Sequence, residues 1–234
     1  MSDSRRVFQL LDVPKFAYPS LSELDPIQTA NNILDRLHGK SFMSYSRPLG
    51  LMPKIVRGEI TSADIPSMFT SNKEEWKNVN QREVAKSLYD SFGGKGAWYP
   101  VSSKEIQVFE GLWFRPSVKG VWFDGKAPFM VAINPRKRQP LVQEHLAFLA
   151  RGMHELYGID DPNDPVPLIL DLSVEGKSDI RSARKTIIRE WQMFSLHEFE
   201  EIMRAFLEAL RVAGIDAIPR ELKDVTDIFR RPRS

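Results

Sequence analysis

Two short apolar runs constrain the fold of this chain more than any other feature of its sequence. Residues 129–133 (FMVAI) contain no polar side chain, and residues 166–172 (VPLILDL) are nearly as apolar. A strand that is covered on both faces has this pattern, because it lacks the alternating polar positions of a surface strand. Between the runs, residues 142–156 repeat apolar side chains at helical spacing. The order of strand, helix and strand predicts a central sheet with helices packed against it.

Three further strands are predicted before the first apolar run. Residues 105–109, 112–114 and 118–123 are rich in β-branched and aromatic side chains, which favour strands. Asp124 and Gly125 follow the third of these segments and predict a tight hairpin turn, because glycine tolerates the positive φ that such a turn requires. The sheet is therefore expected to contain antiparallel as well as parallel neighbours.

The helices have recognisable boundaries. A helix is predicted over about 74–92, and a second begins at Ser195, which forms a capping-box pattern with Glu198. Asp25 is placed to cap an earlier helix, since the proline that follows suits a first helical position. Residues 44–69 contain three prolines among isolated apolar residues, and we expect an extended arm with at most one short strand.

These patterns predict an α/β protein with a mixed β-sheet flanked by helices and a helical or irregular N-terminal arm. The predicted organisation is an arm over residues 1–75, a core domain over 76–218 and a basic tail over 219–234. The last residues of the tail, 229–234, are expected to be disordered.

The composition narrows the classes of function. The chain has no cysteine, which excludes disulfides, thiolate metal sites and cysteine nucleophiles and favours a reducing compartment. No segment approaches the roughly 20 apolar residues that span a bilayer, so a cytoplasmic location without membrane contact is expected. The formal net charge of +2 permits nucleic-acid binding without requiring it.

Two segments resemble motifs of the restriction-endonuclease-like family, written PD-(D/E)XK, and the order of elements over about 76–218 is similar to its common core. Pro116-Ser117 lies where the family has proline and aspartate. Asn134-Pro135-Arg136 lies where the family has an acid, any residue and a lysine. Glu83, on the preceding helix, matches a glutamate that often assists in the family.

The resemblance implies a nuclease fold whose catalytic positions are altered. In the family the two acids hold a divalent cation that activates water. Ser117 and Asn134 carry no charge, and Arg136 stays protonated, so it cannot replace lysine as a proton-transfer group. We therefore expect a catalytically degenerate protein that binds DNA or RNA, or acts in a nucleic-acid-processing assembly, with no metal or other cofactor. The enzyme alternative is a nuclease dependent on Mg²⁺ or Mn²⁺ that uses the displaced acids Glu83, Glu110 and Asp124, although the hairpin turn already accounts for Asp124.

Two basic groups are candidates for phosphate contact. Arg136, Lys137 and Arg138 follow the first apolar run, at a sheet edge where ligands often bind. A second group occurs at spacings of three and four residues on a predicted helix, so that its members would share a face; it includes Arg181, Arg184 and Lys185. Solvated surface charge is the alternative explanation for both groups.

A third hypothesis belongs to a different class of function. The N-terminal arm and the hairpin aromatics Trp113, Phe114 and Trp122 would then bind a protein partner or form a homodimer. Core packing explains the same aromatic residues. The four histidines lack the spacing of a zinc site, so structural or surface roles are expected for them.

Overall fold

A computed structural model describes residues 6–37, 44–71, 73–102, 104–109, 112–115, 117–157, 164–174 and 180–215. The strands within these residues are β1 (Arg6–Gln9), β2 (Ala97–Tyr99), β3 (Ile106–Phe109), β4 (Leu112–Arg115), β5 (Val118–Phe123), β6 (Pro128–Asn134), β7 (Val166–Asp171) and β8 (Arg184–Ile187). The helices are α1 (Val13–Phe16), α2 (Pro26–Leu37), α3 (Ser46–Leu49), α4 (Met52–Val56), α5 (Ile65–Met68), α6 (Glu75–Phe92), α7 (Gln143–Tyr157) and α8 (Leu196–Val212).

The main sheet has five strands in the order β2-β5-β6-β7-β8. β6 and β7 are parallel, whereas the other neighbours in this sheet are antiparallel. The two apolar runs form β6 and β7 at the centre, and α7 connects them. The prediction of a mixed sheet flanked by helices is confirmed. A smaller sheet has the order β1-β4-β3.

Each face of β6 contributes to a separate hydrophobic core. Met130 and Ala132 belong to a core that also contains residues of α2, α7 and α8, and we call this side the α8 face. Val131 and Ile133 belong to a second core with residues of α4, α5 and α6, on the α6 face. Successive side chains of a strand point to opposite faces, so the apolar run requires both cores.

The N-terminal arm differs from its prediction. Residues 44–69 form the three short helices α3, α4 and α5 rather than an extended segment. Pro53 and Pro66 lie in the first turns of α4 and α5. Backbone N–H groups in a first turn have no partner within the helix, so proline loses no hydrogen bond there, and its fixed φ suits the helix. Leu11 and Ile33 fill the α8-face core, while Ile55 fills the other. The boundary near residue 75 stays a prediction, but both cores cross it.

The prediction of a basic helix that contains Arg184 and Lys185 is wrong. Arg184–Ile187 is the edge strand β8, which pairs with β7, and the β-branched side chains of Thr186 and Ile187 account for this preference. Residues 175–179 lie outside the described part of the chain. In a strand Arg184 and Lys185 point to opposite faces, so the basic residues do not form one stripe.

Several local predictions are confirmed. Asp124 accepts hydrogen bonds from the backbone N–H groups of Lys126 and Ala127, both at 2.8 Å, in the turn between β5 and β6. Gly125 in this turn has a φ of 96°. The Oγ of Ser195 accepts from the N–H of Glu198 at 3.2 Å, as a capping box requires.

Of the other residues for which the sequence makes predictions, some lie within the described part of the chain and some lie outside it. Phe114 and Trp122 are buried in the two cores, as core packing requires. Glu110 and residues 216–234, which include the predicted tail, lie outside the described residues. In the described part of the chain no helix has the length and apolar character needed to cross a membrane.

Gly120 allows β5 to lie directly against the ring of Trp98. A Cβ at this position would lie 2.5 Å from two atoms of the indole ring. We expect Gly120→Ala to lower the free energy of unfolding by roughly 1–3 kcal/mol, because the rigid ring must move within a packed core. Urea denaturation measures this change. In a Trp98→Leu background the same substitution should cost less; an equal cost in both backgrounds would rule out the steric explanation.

Candidate functional site

The carboxyl ends of β6 and β7 meet at one edge of the main sheet, which we call the carboxyl edge. Asn134 and Asp171 are paired in the register at this end. The carboxylate of Asp171 is buried, with 3% of the residue exposed. It accepts hydrogen bonds from the Asn134 side chain at 2.9 Å, the Leu141 N–H at 2.9 Å, the Ser173 N–H and hydroxyl at 3.1 and 3.0 Å, and Arg184 at 2.6 Å. Each of these donors stabilises the charged carboxylate in a buried environment.

Asn134 occupies the position where the resembled family has an acid. Its Nδ2 donates to Asp171 and also to the carbonyl of Gln139, at 2.7 Å. Its Oδ1 accepts from the N–H of Arg136 at 3.3 Å. A carboxylate here would face Asp171 as a like charge, whereas the amide donates to it. The side chain of Asn134 therefore joins β6 to β7 by a direct hydrogen bond.

Ser117 lies at the same edge, immediately before β5. Val118 pairs with Ala132 in the register, which places Ser117 near the end of β6. The residue is 6% exposed, and its Oγ is buried with no hydrogen-bond partner in the described structure. This position thus supplies neither a charge nor an exposed ligand atom.

Arg136 connects the carboxyl edge to the N-terminal segment. Its Nη1 donates to the carbonyl of Leu11 at 3.1 Å, and its Nη2 donates to the carboxylate of Asp12. The side chain remains 24% exposed. The sequence predicts that Arg136 contacts phosphate. In the structure its guanidinium group pairs with the carboxylate of Asp12 within the same chain.

Glu83 lies on the other face of the sheet. It is part of α6, and its carboxylate contacts the Nζ of Lys137 at 3.4 Å and the Nε of Arg181 at 3.2 Å. Asn134 follows the alternation of Met130 and Ala132 and belongs to the α8 face. The sheet therefore separates Glu83 from Asn134, and among the described residues the two side chains have no partner in common.

Arg181 is a structural link, with only 2% of its side chain exposed. Nη1 donates to the carbonyls of Pro135 at 2.8 Å and Leu172 at 2.9 Å. Nη2 contacts the side-chain oxygens of Asn80 at 3.2 Å and Tyr45 at 3.5 Å. This guanidinium thus joins the loops after β6 and β7 to α6 and to the N-terminal arm.

Arg184 and Lys185, which the sequence predicts to share a phosphate-binding face, lie on opposite faces of the sheet. Arg184 donates to Asp171 and to the hydroxyl of Ser173, both at 2.6 Å, on the α8 face. Lys185 instead reaches the end of α6, where its Nζ donates to the carbonyl of Ser91. There it lies 4.2 Å from the ring centroid of Phe92 and 4.6 Å from that of Trp122. Lys185 is therefore not part of the carboxyl edge.

Two of the displaced acids, Glu83 and Asp124, do not meet, and the third, Glu110, lies outside the described residues. Asp124 lies in the turn before β6, at the opposite end of that strand from Asn134, while Glu83 lies near Lys137 at the carboxyl edge. Hydrogen bonds from the backbone N–H groups of Ala127 and Lys126 hold the pKa of the Asp124 carboxyl below its usual value. Within the described ranges, no group of three or more histidine and carboxylate side chains is arranged to hold a metal ion.

A cavity of about 180 Å³ opens on the α8 face of the carboxyl edge, and it is lined by Leu11, Pro14, Lys15, Asn134, Arg136, Gln139, Pro140, Leu141 and His145. The Nδ1 of His145 accepts from the N–H of Val142 at 3.4 Å, which places the proton of the neutral ring on Nε2. Burial lowers the pKa of His145, against a smaller opposite effect of Glu144 and Asp171.

Sequence reasoning missed Asp171 and Asp12, the two acids that organise this edge. Asp171 is easier to recognise in the sequence than Asp12, because it is the single charged residue in residues 166–172. A carboxylate at the end of a buried strand requires donors nearby, and Arg184 follows at short range in the chain. Asp12 pairs with a residue more than 100 positions away, and no local pattern announces such a contact.

Removing the charge of Asp171 should destabilise the protein. We expect Asp171→Asn to lower the free energy of unfolding by about 2–3 kcal/mol, because Arg184 loses its ionic partner and an amide donor faces Asn134. Urea denaturation measures the loss. Asp35 is an exposed aspartate on α2, and Asp35→Asn should change stability by less than about 0.5 kcal/mol. Equal effects of the two substitutions would refute the importance of the buried network.

His145 should make stability depend on pH. Because its pKa in the folded protein is lowered, the unfolded chain binds this proton more readily, and stability is lost as pH falls below about 6.5. We expect His145→Gln to flatten the change in unfolding free energy between about pH 7 and pH 5. His197→Gln alters an exposed histidine on α8 and serves as the control. A profile that His145→Gln leaves unchanged would contradict this assignment.

No protein-family model and no curated protein matches this chain. The resemblance to the restriction-endonuclease-like family therefore stays a prediction from the sequence.

Proposed function

We propose that the protein binds the phosphates of nucleic acid at the carboxyl edge and does not cleave them. The observation that carries this proposal is a pair of adjacent cations there. Arg138 is exposed, and the side chain of Lys137 is 25% exposed beside the carboxylate of Glu83. Cations at the surface of this edge attract a polyanion.

The order of elements supports a restriction-endonuclease-like core. α6, β2, β5, β6, α7 and β7 follow one another in the chain, and β6 and β7 are parallel neighbours joined by α7. This is the arrangement that the resemblance implies, with β3 and β4 inserted between β2 and β5. In it, the start of β5 and the end of β6 carry the family's acidic positions, which here are Ser117 and Asn134.

The chemistry of these positions supports binding without catalysis. A hard divalent cation needs several anionic or carbonyl oxygens directed at one point. Asp171 is saturated by its five donors, and Glu83 is paired with Lys137 and Arg181 on the other face. The alternative of an active nuclease has no support from Asp124, which lies at the far end of β6.

Lys137 and Arg138 are the residues that we assign to phosphate contact. Arg138 is exposed, and the side chain of Lys137 is 25% exposed with a loose contact to Glu83. Arg136 and Arg184 border them, with side chains 24% and 31% exposed. Arg181 is buried and positions the loop that carries Lys137. Cytoplasmic location remains a prediction from the sequence.

The alternative of a protein-interaction module loses part of its motivation. Phe114 and Trp122, two of the three hairpin aromatics, pack inside the protein rather than on its surface. Partner binding or homodimer formation through the N-terminal arm remains a prediction. The arm itself packs into both cores, so many of its apolar residues already have partners, whereas Tyr18 and Ile27 are exposed.

A salt series tests the proposed function. Binding to duplex DNA, single-stranded DNA and RNA is measured by fluorescence anisotropy from about 50 to 200 mM salt, where affinity should fall steeply. We expect the double variant Lys137→Gln, Arg138→Gln to bind all sequences more weakly and to reduce the slope of log K against log salt by roughly 1–2.

Lys126→Gln provides the matched control. This exposed lysine lies in the turn at the opposite end of β6, so its loss should leave affinity nearly unchanged. Failure of the wild-type protein to bind any of the three nucleic acids at low salt would overturn the proposal. So would cleavage in Mg²⁺ or Mn²⁺ that Glu83→Gln abolishes, since it would establish the active nuclease instead.

A further inference from the structure

We infer that the carboxyl edge binds single-stranded nucleic acid and that Trp76 stacks against one of its bases. Trp76 lies in the first turn of α6, and 50% of this residue is exposed. The inference rests on the proposed function, because Lys137 and Arg138 would hold phosphates of the same strand. It adds a contact with a base, which phosphate binding alone does not require.

The direction of α6 brings its first turns past the end of the sheet. In its last turn, the ring centroid of Phe92 lies 5.0 Å from that of Trp122, whose register partner Phe129 is near the start of β6. Glu83, in the first half of α6, contacts Lys137, which follows the end of β6. The helix therefore runs antiparallel to β6, and its residues before Glu83 extend beyond the carboxyl edge.

Trp76 shares one side of α6 with two residues that contact the carboxyl edge. Asn80 and Glu83 follow it at spacings of four and seven residues, which place all three on the same face of a helix. The Oδ1 of Asn80 and the carboxylate of Glu83 both accept from Arg181, at 3.2 Å each. Trp76 is therefore the next side chain of this stripe, beyond the loops that Arg181 joins.

A few nucleotides are enough to span from Lys137 to Trp76. The Nζ of Lys137 lies 3.4 Å from the carboxylate of Glu83. The Cα atoms of Glu83 and Trp76 are separated by about 10 Å along the axis of α6, at roughly 1.5 Å per residue. About three nucleotides cover this distance at the rise of about 3.4 Å per nucleotide of one DNA strand. One strand can therefore contact both residues.

The indole ring of Trp76 is held at the surface among charged residues that pair with one another. Its Nε1 donates to the carboxylate of Glu74 at 3.3 Å, and the Nζ of Lys77 lies 5.4 Å from the ring centroid. Lys77 also pairs with Glu74, and Arg82 pairs with Glu75. Neither carboxylate therefore faces an incoming phosphate without a cation beside it.

Stacking on an exposed ring selects unpaired bases. In a duplex the faces of the bases are covered by their neighbours, whereas a single strand presents them to aromatic side chains. Val79, three residues further along α6 and 40% exposed, widens the apolar surface beside the ring. A protein partner that covered the same two side chains would show no preference for bases, so strands with and without bases separate the two occupants.

The first experiment compares two single strands of equal charge on the wild-type protein. One is a fluorescein-labelled oligothymidylate of about 12 nucleotides, and the other is an abasic sugar-phosphate strand of the same length. By fluorescence anisotropy at about 50 mM salt, we expect the strand with bases to bind at least about fivefold more tightly. Equal affinities would overturn the inference and leave phosphate binding in place. No binding of either strand or of duplex DNA would remove the proposed function as well.

Trp76→Ala locates the contact. We expect this variant to reduce the preference for the strand with bases to less than about twofold, and to bind the abasic strand and duplex DNA as the wild type does. Trp76→Phe keeps an aromatic ring and should retain most of the preference. An unchanged preference in Trp76→Ala would place the base elsewhere and refute the assignment.

Trp191→Ala is the matched control. Trp191 is 79% exposed and follows β8, where the N–H of Ile188 donates to the carbonyl of Pro167 near the start of β7. This end of the sheet is opposite to the carboxyl edge, so the loss of Trp191 should leave both affinities unaltered. Circular dichroism spectra of both alanine variants should match the wild type, because both side chains are exposed. Equal losses of base preference in the two variants would contradict a specific contact with Trp76.

Discussion

The buried carboxylate of Asp171 is the interaction on which the carboxyl edge depends. It receives donors from the end of β6, the segment before α7, the residues after β7 and the edge strand β8. An isolated buried charge would be strongly unfavourable, so these elements must assemble together around it. Its partners also fix the walls of the neighbouring cavity, because Asn134 and Leu141 line it. The network thus links the stability of the sheet to the shape of this cavity.

The two faces of the sheet divide the polar residues that the sequence places close together. Arg136 turns to Asp12 on the α8 face, and the adjacent Lys137 turns to Glu83 on the α6 face. Asp12 also pairs with Lys15, and Glu83 also pairs with Arg181, so each face of the sheet has its own group of ion pairs.

Periodicity and turn chemistry predict the local elements well, because they depend on neighbours in the chain. The runs at 129–133 and 166–172 became β6 and β7, and the Asp124 turn formed where glycine permits it. The prediction of a helix that contains Arg184 was wrong. The spacing of the charged residues suggested a helix, whereas pairing with β7 makes this segment a strand. The site itself depends on contacts between distant residues, such as Arg136 with Asp12, and these leave no local pattern.

The packing of α2 against α8 has a consequence for synthesis of the chain. Ala30 and Ile33 of α2 enter the same core as Phe199 and Phe206 of α8. The ribosome produces α2 early and α8 late, so the apolar stripe of α2 lacks its native cover until nearly all described residues have been made. While it is uncovered, such a stripe makes the chain more prone to aggregate than the folded protein, in which α8 covers it.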